Sequence, residues 1–295
     1  MRKWATRASA VEQRGAGSDI VGAVHTRILV PFLASLAIAS GGCGGGDAVA
    51  RSVVVPLPPP TRSTLAPAPP APARTACPAG MAALPGGGFP MNRGGDRVDS
   101  VTVQPFCLDV TEVTADAYAS CVRGGACSAD HTGQLTNDGK TFAADPQCNL
   151  GMHGRGNHPM NCVDWSQASA YCRAQGKRLP TEEEWEWAAR GVAEGRTYPW
   201  GNDAPTDQLC WSGGELHDGT CAVGSFPEGD APGGIHDLAG NVWEWTSSDF
   251  VFNRSARAMR GGSWSVTEPF VLGADAPSEE LPGNRHDGLG FRCAQ

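Results

Sequence analysis

Hydrophobic and polar positions divide the chain into three stretches of different character. Residues Ile28 to Ala39 (ILVPFLASLAIA) form an apolar run of about a dozen residues, too short to cross a bilayer core of roughly 30 Å comfortably as a helix. From Gly44 to Thr75 no apolar periodicity exists, and the segment is dominated by Gly, Ala and Pro. Beyond Cys77 the pattern becomes that of a folded domain. Met81 to Met91 and Val98 to Leu108 predict two short strands around the turn Asn92-Arg93-Gly94-Gly95. Thr111-Glu112-Val113-Thr114 opens a helix that carries Tyr118 and Cys121 and stops at Gly124-Gly125. Asp164 caps a second helix, with Trp165, Ala168, Tyr171 and Cys172 at helical spacing and Gly176 at its end.

The third helix has the strongest local signals. In Thr181-Glu182-Glu183-Glu184 the Thr hydroxyl can accept from the third amide while Glu184 reaches back, and three acids in the first turn suit the helix dipole. Trp185, Ala188 and Ala189 form its expected buried face, and Gly191 ends it. Past Tyr198 the chain is mostly Gly, Asp, Asn, Ser and Trp, with short strands expected at Val242–Thr246, Ala258–Gly262 and Gly290–Cys293. Few regular elements and no internal repeats describe an α+β domain held together by its loops.

The ends of the apolar run give it a meaning. Arg2, Lys3, Arg7, Arg14 and Arg27 precede it, and Ser40-Gly41-Gly42-Cys43 follow. That order is a secretory signal, and small residues directly before a cysteine match a bacterial lipoprotein signal, with Ser40 where Leu is usual. Residues 1–43 are therefore expected to direct export and to leave Cys43 lipidated, a tether and not a span. An ordinary cleaved signal with a chance cysteine is the alternative. Residues 44–76 lack the apolar surface to fold, and their proline density makes a semi-extended spacer between anchor and domain. The expected location is the bacterial cell envelope, with the membrane reached through the lipid.

Export decides how the eleven cysteines are read. With Cys43 set aside, ten remain, and no CxxC pair occurs among them; an even count in an exported domain predicts five disulfides, not a zinc ribbon. Spacing does not determine connectivity. The pairing expected is Cys121–Cys127 and Cys210–Cys221 as local loops, Cys172–Cys293 closing the domain, and Cys77–Cys107 and Cys148–Cys162. A net charge of −8 removes nucleic acid as a general partner, because counterion release needs a basic face.

Five ordered motifs then carry a resemblance. They are Lys177 to Gly191 (KRLPTEEEWEWAARG), Tyr198-Pro199-Trp200-Gly201, Gly240 to Thr246 (GNVWEWT), Arg260-Gly261-Gly262-Ser263-Trp264, and Leu289-Gly290-Phe291-Arg292-Cys293. From about Gly80 to the C-terminus the chain resembles the formylglycine-generating enzyme (sulfatase-modifying factor) family. The resemblance implies a fold related to C-type lectins with little regular secondary structure, and it matches Cys172 and Cys293 to a disulfide of the enzyme. The family enzyme oxidises a sulfatase cysteine with oxygen and a copper ion held by two cysteines, suitably soft ligands for Cu(I). Those positions align with Val266 and Val271, and no cysteine lies between Cys221 and Cys293. A valine cannot bind copper, so formylglycine generation is not expected.

Ser263 and Trp243, near the metal in such enzymes, also have plain uses as a turn residue and a core aromatic. His153, His158, His217, His236 and His286 form no facing pair in the sequence, and no serine sits in a nucleophile elbow. The resemblance also implies a calcium site at Asp237, Gly240, Val242 and Glu244, whose hard oxygen donors suit that ion. A second site of the family is altered near Leu209–Cys210, with Asp218 as a remnant. Trp185, Trp243 and Trp245 are expected in the core, while Trp211 and Trp264 are candidates for a ligand surface. The expectation is a non-catalytic binding or scaffold module for a protein, peptide or glycan. The alternative is an oxidoreductase of the same family that uses a different metal site.

Overall fold

The computed structural model describes residues 76–94, 97–130, 134–135, 142–143 and 146–295. The signal, Cys43 and all but the last residue of the expected spacer lie outside the described residues. Each of the two strands expected near the start divides in two. β1 (Met81–Leu84) pairs antiparallel with β4 (Phe106–Asp109), and β2 (Gly87–Asn92) with β3 (Val98–Val103). The breaks fall at Pro85-Gly86 and Gln104-Pro105, where proline removes a ladder donor.

The helices follow their caps. α1 (Ala115–Arg123) begins at Thr114, whose hydroxyl accepts from the Ala117 amide, and ends at Gly124. α2 (Trp165–Ala174) and α3 (Glu182–Ala189) both begin with complete capping boxes, at Asp164 with Gln167 and at Thr181 with Glu184. One expectation for α3 is corrected. Glu182, Glu184, Glu186 and Trp187 are buried alongside Trp185, Ala188 and Ala189, so the helix is enclosed on nearly all sides instead of being amphipathic. Arginines make this possible. Arg260, fully buried, donates to Glu182 at 2.7 Å and lies 3.0 Å from Glu186, while Arg93 donates to Glu182 at 2.8 Å.

β5 (Gln134–Leu135) and β6 (Phe142–Ala143) make a two-residue pair. The principal sheet has the order β10-β7-β8-β9, from β7 (Trp243–Phe250), β8 (Asn253–Arg260), β9 (Ser278–Glu280) and β10 (Leu289–Gly290). β10 runs parallel to β7, and the other neighbours are antiparallel. The strand expected at Gly290–Cys293 covers only its first residue. Beyond it the chain leaves the sheet: Asp109 donates to the Cys293 carbonyl, and Cys107 and Gln295 exchange both backbone bonds. The last residues thus tie the first hairpin to the sheet.

Three apolar clusters fill the interior, two of them around the helices. Trp185, Trp187, Phe89, Met91 and Leu238 pack under α3, while Trp245, Tyr118, Tyr171, Met160 and Phe291 pack between α1, α2 and the sheet. Every buried indole N–H of these tryptophans has an acceptor: Trp185 donates to Glu244, Trp187 to the Pro85 carbonyl and Trp245 to that of Val163. Five disulfides join Cys77–Cys107, Cys121–Cys127, Cys148–Cys162, Cys172–Cys293 and Cys210–Cys221, the same pairs that the sequence suggested.

Candidate functional site

The motif Gly240 to Thr246 crosses from a tight loop into β7. Gly240 has φ +79°, and a Cβ there would meet the Cys210 carbonyl oxygen at 2.4 Å, so only glycine fits. Asn241 and Asp237 also adopt left-handed backbone, φ 56° each, which Asn and Asp tolerate better than most residues.

Glu244 points inward. Its two carboxylate oxygens accept from Arg292 Nε and Nη2 at 2.8–3.0 Å, and Oε2 also accepts from the Trp185 indole at 2.9 Å. Arg292 also donates to the carbonyls of Asp109 and His236. Glu112 and Asp237 lie close enough to this pair to act on it electrostatically. Burial, then the Asp237 charge, push the Glu112 carboxyl well above the usual carboxylate range. Both Glu112 oxygens are buried without a hydrogen-bond partner.

Three carboxylates around one guanidinium leave an excess of negative charge, which costs free energy in a low-dielectric interior unless a proton or a cation offsets it. Of the expected calcium set, Asp237 receives the Gly224 amide on Oδ2 at 2.6 Å. The Glu244 carboxylate is already engaged by Arg292 and Trp185. Asp218 is exposed in the loop between Cys210 and Cys221.

A groove of about 410 Å³ opens where β7 begins. It is lined by Trp243, Phe270 and Val271, with Asn92, Asp275 and Ser278 as polar members. Phe270 is 75 % exposed and Phe252 62 %. The ring of Phe252 and Pro277 both lie close to Gly94, so the apolar rim continues past the groove. Val271 thus forms part of the wall beside Trp243, where the resemblance places a thiol. Val266 is half-buried against the cluster of Tyr198, Leu209, Trp211 and Leu272. Every described cysteine is in a disulfide, so no thiol faces the groove and the residues do not fit a copper ion. Ser263 is buried, its hydroxyl 3.2 Å from that of Ser265.

The two proposed surface tryptophans differ. Trp211 is corrected: it is only 3 % exposed, its indole N–H donates to the Thr206 carbonyl at 2.6 Å, and Gly213 and Gly214 fold over the ring. The missed signal was that glycine pair, which lets the loop close over an aromatic. Trp264 is half-buried, with its Nε1 shielded and unpartnered. Trp243 moves the other way, from expected core to groove wall. Among the histidines, His236 lies 2.8 Å from Asp230, His158 3.0 Å from the Thr220 hydroxyl, and His217 3.7 Å from Cys221 Sγ. The sequence reading missed this last contact, which joins residues of one exposed loop.

Residues 67–295 match the model of the sulfatase-modifying factor enzyme 1-like domain. The chain is 33% identical over 263 residues to the inactive C-alpha-formylglycine-generating enzyme 2 of Bos taurus, covering 72% of this chain and 87% of that protein. It is 32% identical over 281 residues to the formylglycine-generating enzyme of Streptomyces coelicolor, covering 73% and 88%. Among solved structures, PvdO from Pseudomonas aeruginosa superimposes with a TM-score of 0.58 at 24% identity, over 72% of this chain and 93% of that one, a likeness of fold. With its α+β architecture, its five bridges and its match across the folded part, the chain belongs to the sulfatase-modifying factor (formylglycine-generating enzyme-like) family.

Proposed function

We propose that this protein is a cell-envelope lipoprotein that displays a non-catalytic formylglycine-generating-enzyme-like domain as a ligand-binding module. The observation that carries the reading is the groove wall: Val271 lines it beside Trp243, and no free thiol is present among the described residues. The groove keeps the properties of a recognition site, namely concavity, exposed aromatic surface and a few polar groups. A relative of similar span whose name calls it inactive supports the same reading. The ligand class that fits is a peptide or glycan presenting an apolar face to Phe270 and Trp243 and polar groups to Asn92, Asp275 and Ser278. A calcium ion held by Asp237 and the Gly240 and Val242 carbonyls would be structural.

The test is to fold the full chain oxidatively, measure bound metals, and follow oxygen uptake with thiol peptides. Calcium without oxygen consumption is expected. Stoichiometric copper or iron with oxygen uptake would overturn the proposal in favour of an oxidoreductase. Screening peptide and glycan arrays with wild type and Phe270→Ala then tests the groove. Hits that survive Phe270→Ala with unchanged affinity would exclude this surface.

A further inference from the structure

The Cys210–Cys221 bridge differs from the other four in its company. His217 Nδ1 lies 3.7 Å from Cys221 Sγ, and the two sulfurs and an imidazole nitrogen of His217 all fall within 4.8 Å of one another. Cys210 is buried, whereas Cys221 and His217 are part-exposed. The loop between them, Trp211 to Thr220, includes Gly213, Gly214 and Gly219 and is exposed from Gly213 to Leu216.

Asn241 grips both half-cystines by their backbones. Its amide donates to the Cys210 carbonyl at 2.9 Å, and its side-chain Oδ1 accepts from the Cys221 amide at 3.0 Å. Gly240 packs against the same Cys210 carbonyl. The loop is also pinned at its ends, by the Ser212 amide to the Val266 carbonyl and by the Thr220 hydroxyl, which accepts from Asn149. These contacts do not depend on the S–S bond, so they hold the two cysteines side by side after it opens. Asn241 Nδ2 is buried without an acceptor, a spare donor in the residue that bridges them.

Two thiolates and an imidazole are a ligand set for a thiophilic d10 cation such as Zn²⁺. Tetrahedral zinc with Zn–S of about 2.3 Å and Zn–N of about 2.0 Å separates sulfur from nitrogen by about 3.5 Å and sulfur from sulfur by about 3.8 Å. The observed 3.7 Å from His217 to Cys221 already meets the first spacing. The second needs the sulfurs to part by less than about 2 Å, which side-chain rotation supplies. A part-exposed edge leaves the fourth position for water.

We propose that Cys210, Cys221 and His217 form a redox-gated soft-cation site, closed as a disulfide and opened by an external dithiol. In opening, the dithiol gives two electrons and two protons: its sulfurs become a disulfide, the Cys210–Cys221 bond breaks, and two cysteine thiols form. The attacking thiolate meets Cys221 Sγ, since Cys221 is the part-exposed half-cystine, and Cys210 leaves. Zinc then binds as both thiols release their protons to solvent and His217 stays neutral.

The experiment titrates the full chain with dithiothreitol, maps the opened bridge by alkylation and mass spectrometry, and measures Zn²⁺ binding by competition with a chromogenic chelator. Near-ultraviolet circular dichroism monitors the fold. The expected result is that Cys210–Cys221 opens first with the spectrum retained. One zinc then binds per opened chain and none per oxidised chain, and His217→Ala weakens zinc by about 100-fold or more. Equal zinc affinity in His217→Ala would overturn the site. So would zinc uptake by the oxidised chain, no uptake by the opened one, loss of the native spectrum on opening this bridge, or prior opening of another. None of these readouts depends on the groove or its ligand, so this site and the binding-module reading stand or fall separately.

Discussion

The frame around α3, β7 and β10 and the strip from Ser265 to Val271 are built on opposite terms. In the frame, charged groups are buried and matched to one another across long stretches of chain. Arg292 meets Glu244 from 48 positions away, and Arg260 meets Glu182 from 78. In the strip, Ser265, Thr267, Glu268 and Phe270 are exposed, and the backbone is held by few bonds, such as Val266 to Ser263 and Val271 to Glu268. The contrast explains how family motifs and family chemistry part company. The motif residues of the frame each neutralise a buried charge, fill the core or permit a tight approach, so the fold needs them. Val266 and Val271, the positions that the resemblance aligns with metal ligands, carry no buried charge: Val266 packs half-buried against the Leu209 and Trp211 cluster, and Val271 lines the groove.

That comparison can be broken at several points. The largest effect is expected from Cys172→Ala/Cys293→Ala. This bridge closes a separation of 121 residues, and chain-entropy reasoning assigns it about 5 kcal/mol. Denaturant unfolding checks this, and a loss below about 1 kcal/mol would mean that the frame does not depend on its closure. Next, Glu244→Gln removes the carboxylate charge hydrogen-bonded to the buried Arg292 and should cost about 3–5 kcal/mol, read as a fall in melting temperature.

Glu186 sharpens the same point through pH. Burial pushes its carboxyl up to about 7 despite Arg260, so between pH 4.5 and 7 the folded chain holds a proton that the unfolded chain has lost. Stability from this group therefore falls as pH rises through that window, by at most about 3 kcal/mol. Wild type should lose stability relative to Glu186→Gln from pH 4.5 to 7; parallel curves would refute the shift. The smallest effect belongs to the strip. Val266→Cys/Val271→Cys should change stability by less than about 1 kcal/mol. A cost on the scale of Glu244→Gln would show that the strip belongs to the frame after all.

Much of this was legible from residues three or four apart. Thr181 and Glu184, Asp164 and Gln167, and Thr114 before α1 each announce a helix start, because capping bonds span three residues. Burial of the acidic face of α3 was not legible, since its arginine partners come from β8 and the turn after β2. The calcium-site expectation likewise did not foresee that Glu244 would be spent on Arg292, a partner at the far end of the chain.

By itself, then, the sequence determined the helices, the family and a disulfide framework, all properties of local spacing or residue type. Only the tertiary structure decided which aromatics face solvent, burying Trp211 and moving Trp243 to a groove wall. It alone gathered Glu112, Asp237, Glu244 and Arg292 into one nest and let Asn241 clamp Cys210 and Cys221 beside His217. Capping energies and residue chemistry act over a few bonds and are written in short words, whereas desolvation and ion pairing act through space. Their outcome depends on which distant segments the fold brings together.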